Sequence, residues 1–469
     1  MATQLTPPAR SAFVVILALL TAPALAAQAA PVRTTSGARV ITLRDVLDSV
    51  RMRSPLLEAA RARARSIGGA RTVAGTFENP MLSYQVENAP FPGGRPLGGI
   101  ALEHRTMASL PLAPLYQRSA RVAQADASVR AADADARATS QRVALDAARA
   151  YYRTALAEVG ADAANNLTRW LDSVVTYNRT RVQQGVTAEA DLIRSELERD
   201  RALADAGVQA AELARSRVEL SAFLGDPAIV RTMWRTAVDE TPLALPNAFV
   251  VARVAAANEP AQGTTRNAAD LDRRPDVTAA RERLAAATAG TTLEQRQRLR
   301  DLGAMLGVKQ TAGISSMLIG VSVPLPLFDQ NRGAIASARA MQDAAGFELL
   351  AQQRSARAEL LGAEEAARIL TERVGALTVH DSASGAVRYL ARADESRAIA
   401  LGAYREGAVP LLQVLDAARA WGDARLSFYR ALYAQHEAVL ELIVARGDDV
   451  ATVVLPATKA TSSIDRSPR

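Results

Sequence analysis

A proline-free stretch between Pro114 and Pro227 constrains this fold more than any other feature of the sequence. The stretch is rich in Ala, Arg, Gln, Asp and Glu, and its glycines are Gly160, Gly185, Gly207 and Gly225. Because a proline inside a helix costs about 3 kcal/mol and these residue types favour helix, the stretch predicts long helices. One arm would exceed about sixty residues, roughly 90 Å, which is longer than a compact domain needs.

The plausible point of reversal within this stretch is Gly185. This glycine can adopt the left-handed conformation that ends a helix, and Thr187 can then N-cap the next helix. The sequence therefore predicts a helical hairpin with a very long first arm.

Small apolar side chains recur every seven residues along that arm. The predicted seam consists of Val122, Val129, Ala136, Val143, Ala150 and Ala157. A narrow seam lets helices approach closely but buries little area at each position, which favours a wall of many helices packed side by side. The alternative is a single dimeric coiled coil, although such coiled coils usually place Leu and Ile at the seam.

Composition and the N-terminus limit the possible classes of protein. The chain has no cysteine, so it forms no disulfide or thiolate metal site and carries no lipid on an N-terminal cysteine. Its net charge is +7, but the arginines alternate with acidic residues along helix faces, which favours a solvated surface over a nucleic-acid site. An apolar run at residues 12–20, followed by Ala24-Leu25-Ala26, predicts a secretory signal peptide and export.

The sequence pattern repeats after roughly 220 residues, which predicts an internal duplication. In each half a helix, two strands, a long helix, a turn and a further helix are expected; the second long helix runs from Arg332 to Glu406 and turns at Gly407. The predicted strands lie at about 81–112 and 302–323, and the helical hairpins at about 115–224 and 332–446. The predicted regions are a signal peptide at 1–26, a flexible leader at 27–40, a first repeat at 41–227, a connector at 228–272, a second repeat at 273–447 and a flexible tail at 448–469.

The expected fold is mainly α with a small β part. Leu82, Tyr84 and Val86 alternate with polar residues, as in a half-buried strand. Four strands of about ten residues are long enough to cross a bilayer but too few to close a barrel. Three copies would give twelve strands around a water-filled interior, and their long helices would form a tube. The residues alone thus predict a pore.

Five motifs, in this order, resemble the TolC-like outer-membrane efflux protein family. They are Ile41-Thr-Leu-Arg-Asp-Val-Leu47, Ser54-Pro-Leu-Leu-Glu-Ala-Ala-Arg-Ala62, Asn79-Pro80, Pro324-Leu-Pro-Leu-Phe-Asp329 and Tyr404-Arg-Glu-Gly-Ala-Val-Pro-Leu-Leu-Gln-Val-Leu-Asp-Ala417. The resemblance covers about residues 40–447. It implies a homotrimer with a twelve-stranded β-barrel in the outer membrane, continued by an α-helical barrel through the periplasm. It also implies docking to a periplasmic adaptor (membrane fusion) protein and an inner-membrane pump.

The resemblance implies an exit duct for small molecules or metal ions, and three alternatives stay open. Members that serve type I protein secretion also lack a lipid anchor, so protein export is one of them. A periplasmic adaptor would carry one helical hairpin between two halves of a β-domain, whereas this sequence predicts two hairpins. A soluble coiled-coil scaffold could bind acidic partners through its basic surface.

In the family the turns form the periplasmic end that opens and closes. The matching candidates for this aperture and for adaptor contacts are Gly185, Thr187, Glu189, Asp191, Leu192, Gly407, Leu412, Gln413 and Asp416. Asp191 or Asp416, repeated threefold, would attract cations at the mouth. Alternatively, these acids simply meet the helix dipole in a solvated first turn, and Leu412 packs as an ordinary helix-start residue rather than a plug. Arg181 and Arg405 could pair with the acids or contact the adaptor.

No group of residues in the sequence predicts catalysis or a bound cofactor. The three histidines, His104, His380 and His436, are too far apart in sequence to form a ligand motif, and the methionines are few and dispersed. The sequence contains neither a glycine-rich phosphate loop nor a clustered catalytic triad. We therefore expect no catalytic residue, no cofactor, no metal site and no enzyme activity.

Overall fold

The structure is a computed structural model of the whole chain. It describes residues 39–90, 92, 98, 101–225, 234–237, 240–245, 271, 273–299, 302–380 and 386–450. The predicted signal peptide, and most of the predicted leader, connector and tail, lie outside the described residues.

The first half of the chain is built on one very long helix. Its elements are β1 (Arg39–Ile41), α1 (Leu43–Arg53), α2 (Pro55–Gly75), β2 (Met81–Glu87), β3 (Glu103–Pro111), α3 (Ala113–Gln183) and α4 (Glu189–Leu224). Thr42 and Asp45 form a capping box at the start of α1, and Pro55 lies at the start of α2, where its missing N–H costs nothing. With no proline after Pro114, α3 continues for 71 residues, about 105 Å.

The second half repeats this order. Its elements are β4 (Trp234–Thr236), α5 (Pro275–Arg296), β5 (Gly303–Thr311), β6 (Ile314–Ser322), α6 (Arg332–Leu377), α7 (Arg388–Arg405) and α8 (Leu411–Ala445). The predicted duplicated unit of helix, two strands, long helix, turn and helix is therefore confirmed. So is the mainly helical class with a small β part.

The second long helix is interrupted, and the prediction of one helix from Arg332 to Glu406 is wrong. α6 ends at Leu377, and both the N–H (2.9 Å) and the hydroxyl (3.0 Å) of Thr378 donate to the Val374 carbonyl there. The Arg388 N–H then donates to the Val379 carbonyl (2.9 Å), so the chain reverses locally before α7. Thr, Val, Ser and Gly between the two helices are weak helix formers, which explains a break without proline.

Two smaller expectations are also wrong. Val40, placed in a flexible leader, belongs to β1, which pairs in parallel with β4. Thr187 does not cap α4: this helix begins at Glu189 after Ala188, and no side chain caps it.

Four strands form one antiparallel sheet in the order β2-β3-β5-β6. The register places Leu82, Ala108, Leu306 and Ile319 in one row across the four strands. Since side chains alternate between faces, this row and the row of Tyr84, Thr106, Val308 and Met317 make most of one face apolar, with Ile319 72% exposed. The row nearest the 88–102 connection on the same face is more polar and contains Val86, His104, Gln310 and Ser315. The other face carries Ser, Gln, Glu, Arg, Lys and Met. Among the described residues, the edge strands β2 and β6 have no further partner.

The main apolar core lies where α1, α3, α4, α6 and α8 meet. Phe428, Leu432 and Leu440 of α8 are almost completely buried there, and each such side chain stabilises the fold by about 1.5–3 kcal/mol. The Tyr152 ring contacts Tyr433 (5.6 Å between centroids) and His436 (4.9 Å). This core holds the middle of the long helices together.

The seam of α3 consists of small residues, but its register differs in part from the prediction. Val143, Ala150 and Ala157 are buried, whereas Val122, Val129 and Ala136 are only half-buried. The buried row in that first part lies two positions earlier, at Ala120, Ala127 and Ala134. α3 packs against α2 and α5 there rather than against one partner, so more than one seam is needed.

Candidate functional site at the two helical turns

The turn between α3 and α4 and the turn between α7 and α8 share one backbone motif. Gly185 (φ +70°) and Gly407 (φ +75°) take the left-handed conformation, as predicted. The residue after each glycine donates its N–H to a carbonyl five residues back: Val186 to Arg181 (2.9 Å) and Ala408 to Ala403 (2.8 Å). This pattern satisfies the last carbonyls of each helix and reverses the chain sharply.

Two tyrosines hold the turns side by side. The Tyr404 hydroxyl of α7 donates to Asn178 Oδ1 of α3 (2.6 Å), and the Tyr177 hydroxyl donates to the Arg405 carbonyl (3.2 Å). Burial raises the pKa of Tyr404, and the negative charge of Asp191 acts in the same direction, against Arg181 and Asn178. Tyr404 therefore remains a neutral hydrogen-bond donor.

Arg181 packs over these tyrosines rather than beside an acid. Its guanidinium lies 5.5 Å from the centroid of the Tyr177 ring and 5.8 Å from that of Tyr404. The two rings meet edge to face at 5.9 Å. A small apolar cluster supports them, consisting of Leu171, Val174, Ala202, Tyr404, Leu411, Val414 and Leu415. The turns thus have their own core, distinct from the main one.

The predicted acids lie in two different settings. Glu189 and Asp191 are in the first turn of α4, so a favourable interaction with the helix dipole accounts for both. Asp416 lies in the second turn of α8, where that explanation is weaker. Its carboxylate is largely exposed and lies 3.6 Å from the Arg419 guanidinium.

Arg419 connects α8 to α4. Besides Asp416, its guanidinium pairs with Glu198 of α4, and this hydrogen bond raises the pKa of Arg419. Because α4 and α8 both pack on α3, the ion pair ties the second hairpin to the first.

Sequence reasoning missed the residues that make these contacts: Tyr177, Asn178, Tyr404, Glu198 and Arg419. One signal was available, because aromatic residues make up only 4% of the chain and yet Tyr177 and Tyr404 lie eight and three residues before the turn glycines Gly185 and Gly407.

The remaining candidates are exposed to different degrees. Leu412 is 45% exposed and Gln413 is exposed, whereas Thr187 and Leu192 are half-buried. On α4, Ile193 and Leu197 also expose most of their side chains. The turns and the first helical turns beyond them therefore present apolar surface with no partner in the described part of one protomer.

The described residues contain no group of three His, Asp or Glu side chains placed to hold a metal ion. No described helix is both long enough and apolar enough to cross a membrane.

Residues 269–448 match a family model described as outer membrane efflux protein. Cobalt-zinc-cadmium resistance protein CzcC of Cupriavidus metallidurans is 30% identical over 171 residues, which are 36% of this chain and 39% of CzcC. The chain thus aligns with about two fifths of the length of this relative.

Solved structures with a similar fold cover a larger part of this chain than the sequence matches do. The outer membrane protein VceC of Vibrio cholerae matches with a TM-score of 0.67 at 18% identity, over 87% of this chain and 96% of VceC. The CmeC outer membrane channel of Campylobacter jejuni matches with a TM-score of 0.69 at 15% identity, over 88% of each chain. The predicted resemblance to the outer-membrane efflux protein family is therefore confirmed in sequence over residues 269–448, and over most of the chain the fold is similar to those of VceC and CmeC.

Proposed function

We propose that this protein is the outer-membrane exit channel of a tripartite efflux pump. The observation that carries the proposal is the four-stranded sheet, which has one exposed and largely apolar face, one polar face and two edges that have no partner among the described residues. In lipid an unpaired strand edge costs several kcal/mol for each unsatisfied group, so such a sheet needs neighbouring copies to close it. Three copies would give a twelve-stranded barrel with the apolar face towards lipid and the polar face towards water.

The helical part continues the same threefold arrangement in this proposal. α3 and α6 begin at the end of the sheet opposite the β2–β3 and β5–β6 connections. Three copies of the two hairpins would surround a tunnel through the periplasm. The turns would form its far end. The contacts of Tyr404 with Asn178 and of Arg419 with Glu198 would hold that end closed, and loosening them would open it.

The candidates at the turns acquire two roles in this arrangement. Gly185, Thr187, Glu189, Gly407 and Gln413 would contact a periplasmic adaptor, while Leu412 and three copies of Asp416 would narrow the opening. Asp191 would act mainly through its negative charge, which raises the pKa of Tyr404 and so helps to keep the Tyr404 hydroxyl protonated. Rings of carboxylates favour cations, so the mouth would admit positively charged solutes more readily than negatively charged ones.

We propose divalent metal ions as a cargo class, since CzcC is named for resistance to cobalt, zinc and cadmium. The duct itself would be passive and non-enzymatic, with the energy supplied by an inner-membrane pump. The adaptor alternative fits poorly, because the described chain contains two hairpins on one shared sheet rather than one hairpin within a β-domain.

The test begins with the location and mass of the protein. Detergent extracts of isolated outer membranes should contain a species of three chains by light scattering, and this species should conduct ions in planar bilayers. Recovery of the protein as a monomer in osmotic-shock fluid would refute the proposal.

The closed end can be tested with Tyr404→Phe. This change removes the bond to Asn178, worth about 0.5–1.5 kcal/mol, so open events should become about fivefold more frequent. Tyr389→Phe is a matched control on the same helix, because the Tyr389 hydroxyl lies 3.4 Å from Ser427 Oγ and touches neither turn. An equal frequency of open events in Tyr404→Phe and wild type would count against closure by these contacts.

A further inference from the structure

The polar face of the sheet carries its charges at one end only. Glu87 of β2, Glu103 and Arg105 of β3 and Lys309 of β5 lie beside the 88–102 connection. At the other end, next to the helices, the same face carries Met81, Ser109, Met305 and Gly320 in one row. We call the four charged residues the exit belt.

The strand register brings like charges together within the exit belt. Glu87 lies directly opposite Glu103, and Arg105 lies directly opposite Lys309. Like charges that face each other across a sheet are destabilising unless they are compensated. Two carboxylates at this spacing would also attract cations from a water-filled interior.

Each carboxylate is compensated by a neighbouring cation. Arg105 Nη1 lies 2.9 Å from Glu87 Oε1, and Lys309 Nζ lies 2.5 Å from Glu103 Oε2. The four side chains are only 20–43% exposed, so water and salt screen these pairs less than pairs on an open surface. The belt therefore has two positive and two negative charges and is neutral in each protomer.

We propose that Arg105 and Lys309 are built-in counter-ions that set the charge selectivity of the exit. They neutralise the carboxylates of Glu87 and Glu103, which face each other across the sheet. Charged cargo of either sign therefore passes the outer end without being bound there. The inference rests on the proposed function, in which the polar face lines a water-filled barrel. Repeated threefold, the belt becomes a ring of twelve charges with no net charge, and Lys309, one of two lysines in the chain, is a compact point charge within it.

Reversal potentials in a KCl gradient test this assignment. Lys309→Gln should raise the permeability ratio of K⁺ to Cl⁻ by at least about twofold, because it leaves Glu103 unpaired, and Glu103→Gln should lower the ratio by a similar factor. Lys309→Arg keeps the charge and should behave as wild type. The double variant Glu103→Gln/Lys309→Gln is neutral at these positions and should also keep the wild-type ratio.

Binding of Mn²⁺ to the detergent-solubilised protein gives a second readout that needs no open channel. Lys309→Gln should remove free Mn²⁺ from the electron paramagnetic resonance signal at concentrations where wild type, Lys309→Arg and the double variant leave it unchanged. Conducting variants with the wild-type permeability ratio, or Lys309→Gln without added Mn²⁺ binding, would overturn the role of the exit belt. A wild-type trimer that never conducts would instead refute the channel, whatever the Mn²⁺ result.

Discussion

At the scale of single residues, Glu437 on α8 works against the folded state. Partial burial raises the pKa of Glu437; the Arg149 charge acts in the opposite direction, and Glu441 raises the pKa further. An acid whose pKa is higher in the folded state binds protons more tightly there. Its favourable contribution is present below the unfolded pKa of about 4.3 and is lost as the pH rises through the folded pKa.

Glu437→Gln should therefore stabilise the protein at neutral pH. We expect a gain of about 0.5 kcal/mol per protomer at pH 7, kept small because the side chain is partly solvated, and a gain close to zero near pH 4. Thermal unfolding at a series of pH values measures this difference. Glu348→Gln on the exposed surface of α6 is the control and should leave the melting temperature unchanged at every pH. A gain for Glu437→Gln that did not depend on pH would exclude ionisation as its cause.

At the scale of elements, Arg274 joins the start of α5 to two other helices. Its side chain is 7% exposed, and Nη2 lies 2.6 Å from both Asp276 Oδ2 and Glu359 Oε2 of α6. Nη1 donates to the Ala445 carbonyl at the end of α8 (3.3 Å). Burial acts to raise the pKa of Asp276, but the hydrogen bond and charge of Arg274 outweigh it, and the pKa is lowered.

Arg274→Met should destabilise the protein by about 3–5 kcal/mol, because Asp276 would remain half-buried without its cation. Unfolding in urea measures the loss. The exposed pair of Arg283 with Asp135 provides the control on the same helix, since Arg283→Met should cost no more than about 1 kcal/mol. The contribution of the Arg274–Asp276 pair should be full above pH 4 and fall below it, as the carboxylate becomes protonated. A similar loss for both variants would contradict the buried role of Arg274.

The sequence predicts those elements whose cause is local. The absence of proline predicts α3, the two glycines predict the turns, and alternation at Leu82 to Val86 predicts a strand. The break after Leu377 escaped because the prediction rested on the absence of proline, whereas this break lies among weak helix formers and is held by a hydrogen bond from the Arg388 N–H to the Val379 carbonyl. The contacts at the turns escaped for another reason: Tyr404 and Asn178 are 226 residues apart, and no periodicity reports such a contact.

At the scale of the whole molecule, the two sheet edges without a partner among the described residues would determine how copies associate in the proposed trimer. β2 and β6 are different strands, so an interface between β6 of one copy and β2 of the next is heterologous. Such an interface closes into a ring only if the rotation angle between neighbouring copies divides 360° evenly. Otherwise it grows into an open chain of copies. The number of copies in the ring is therefore a property that can be measured directly.

Cysteine cross-linking can count the copies, because the natural chain has no cysteine. Ser83→Cys on the polar face of β2 would be combined in turn with cysteine at Ser316, Leu318 or Gly320 on the same face of β6. One combination should bring the Cβ atoms of adjacent copies within about 3.5–4.5 Å and form a disulfide. Non-reducing denaturing gels should then show two and three linked chains and nothing larger, because a closed ring of three has no free edge. Ser83→Cys alone should stay unlinked, since two copies of β2 do not meet in a heterologous ring. A ladder beyond three chains, or dimers of the single variant, would contradict the closed trimer.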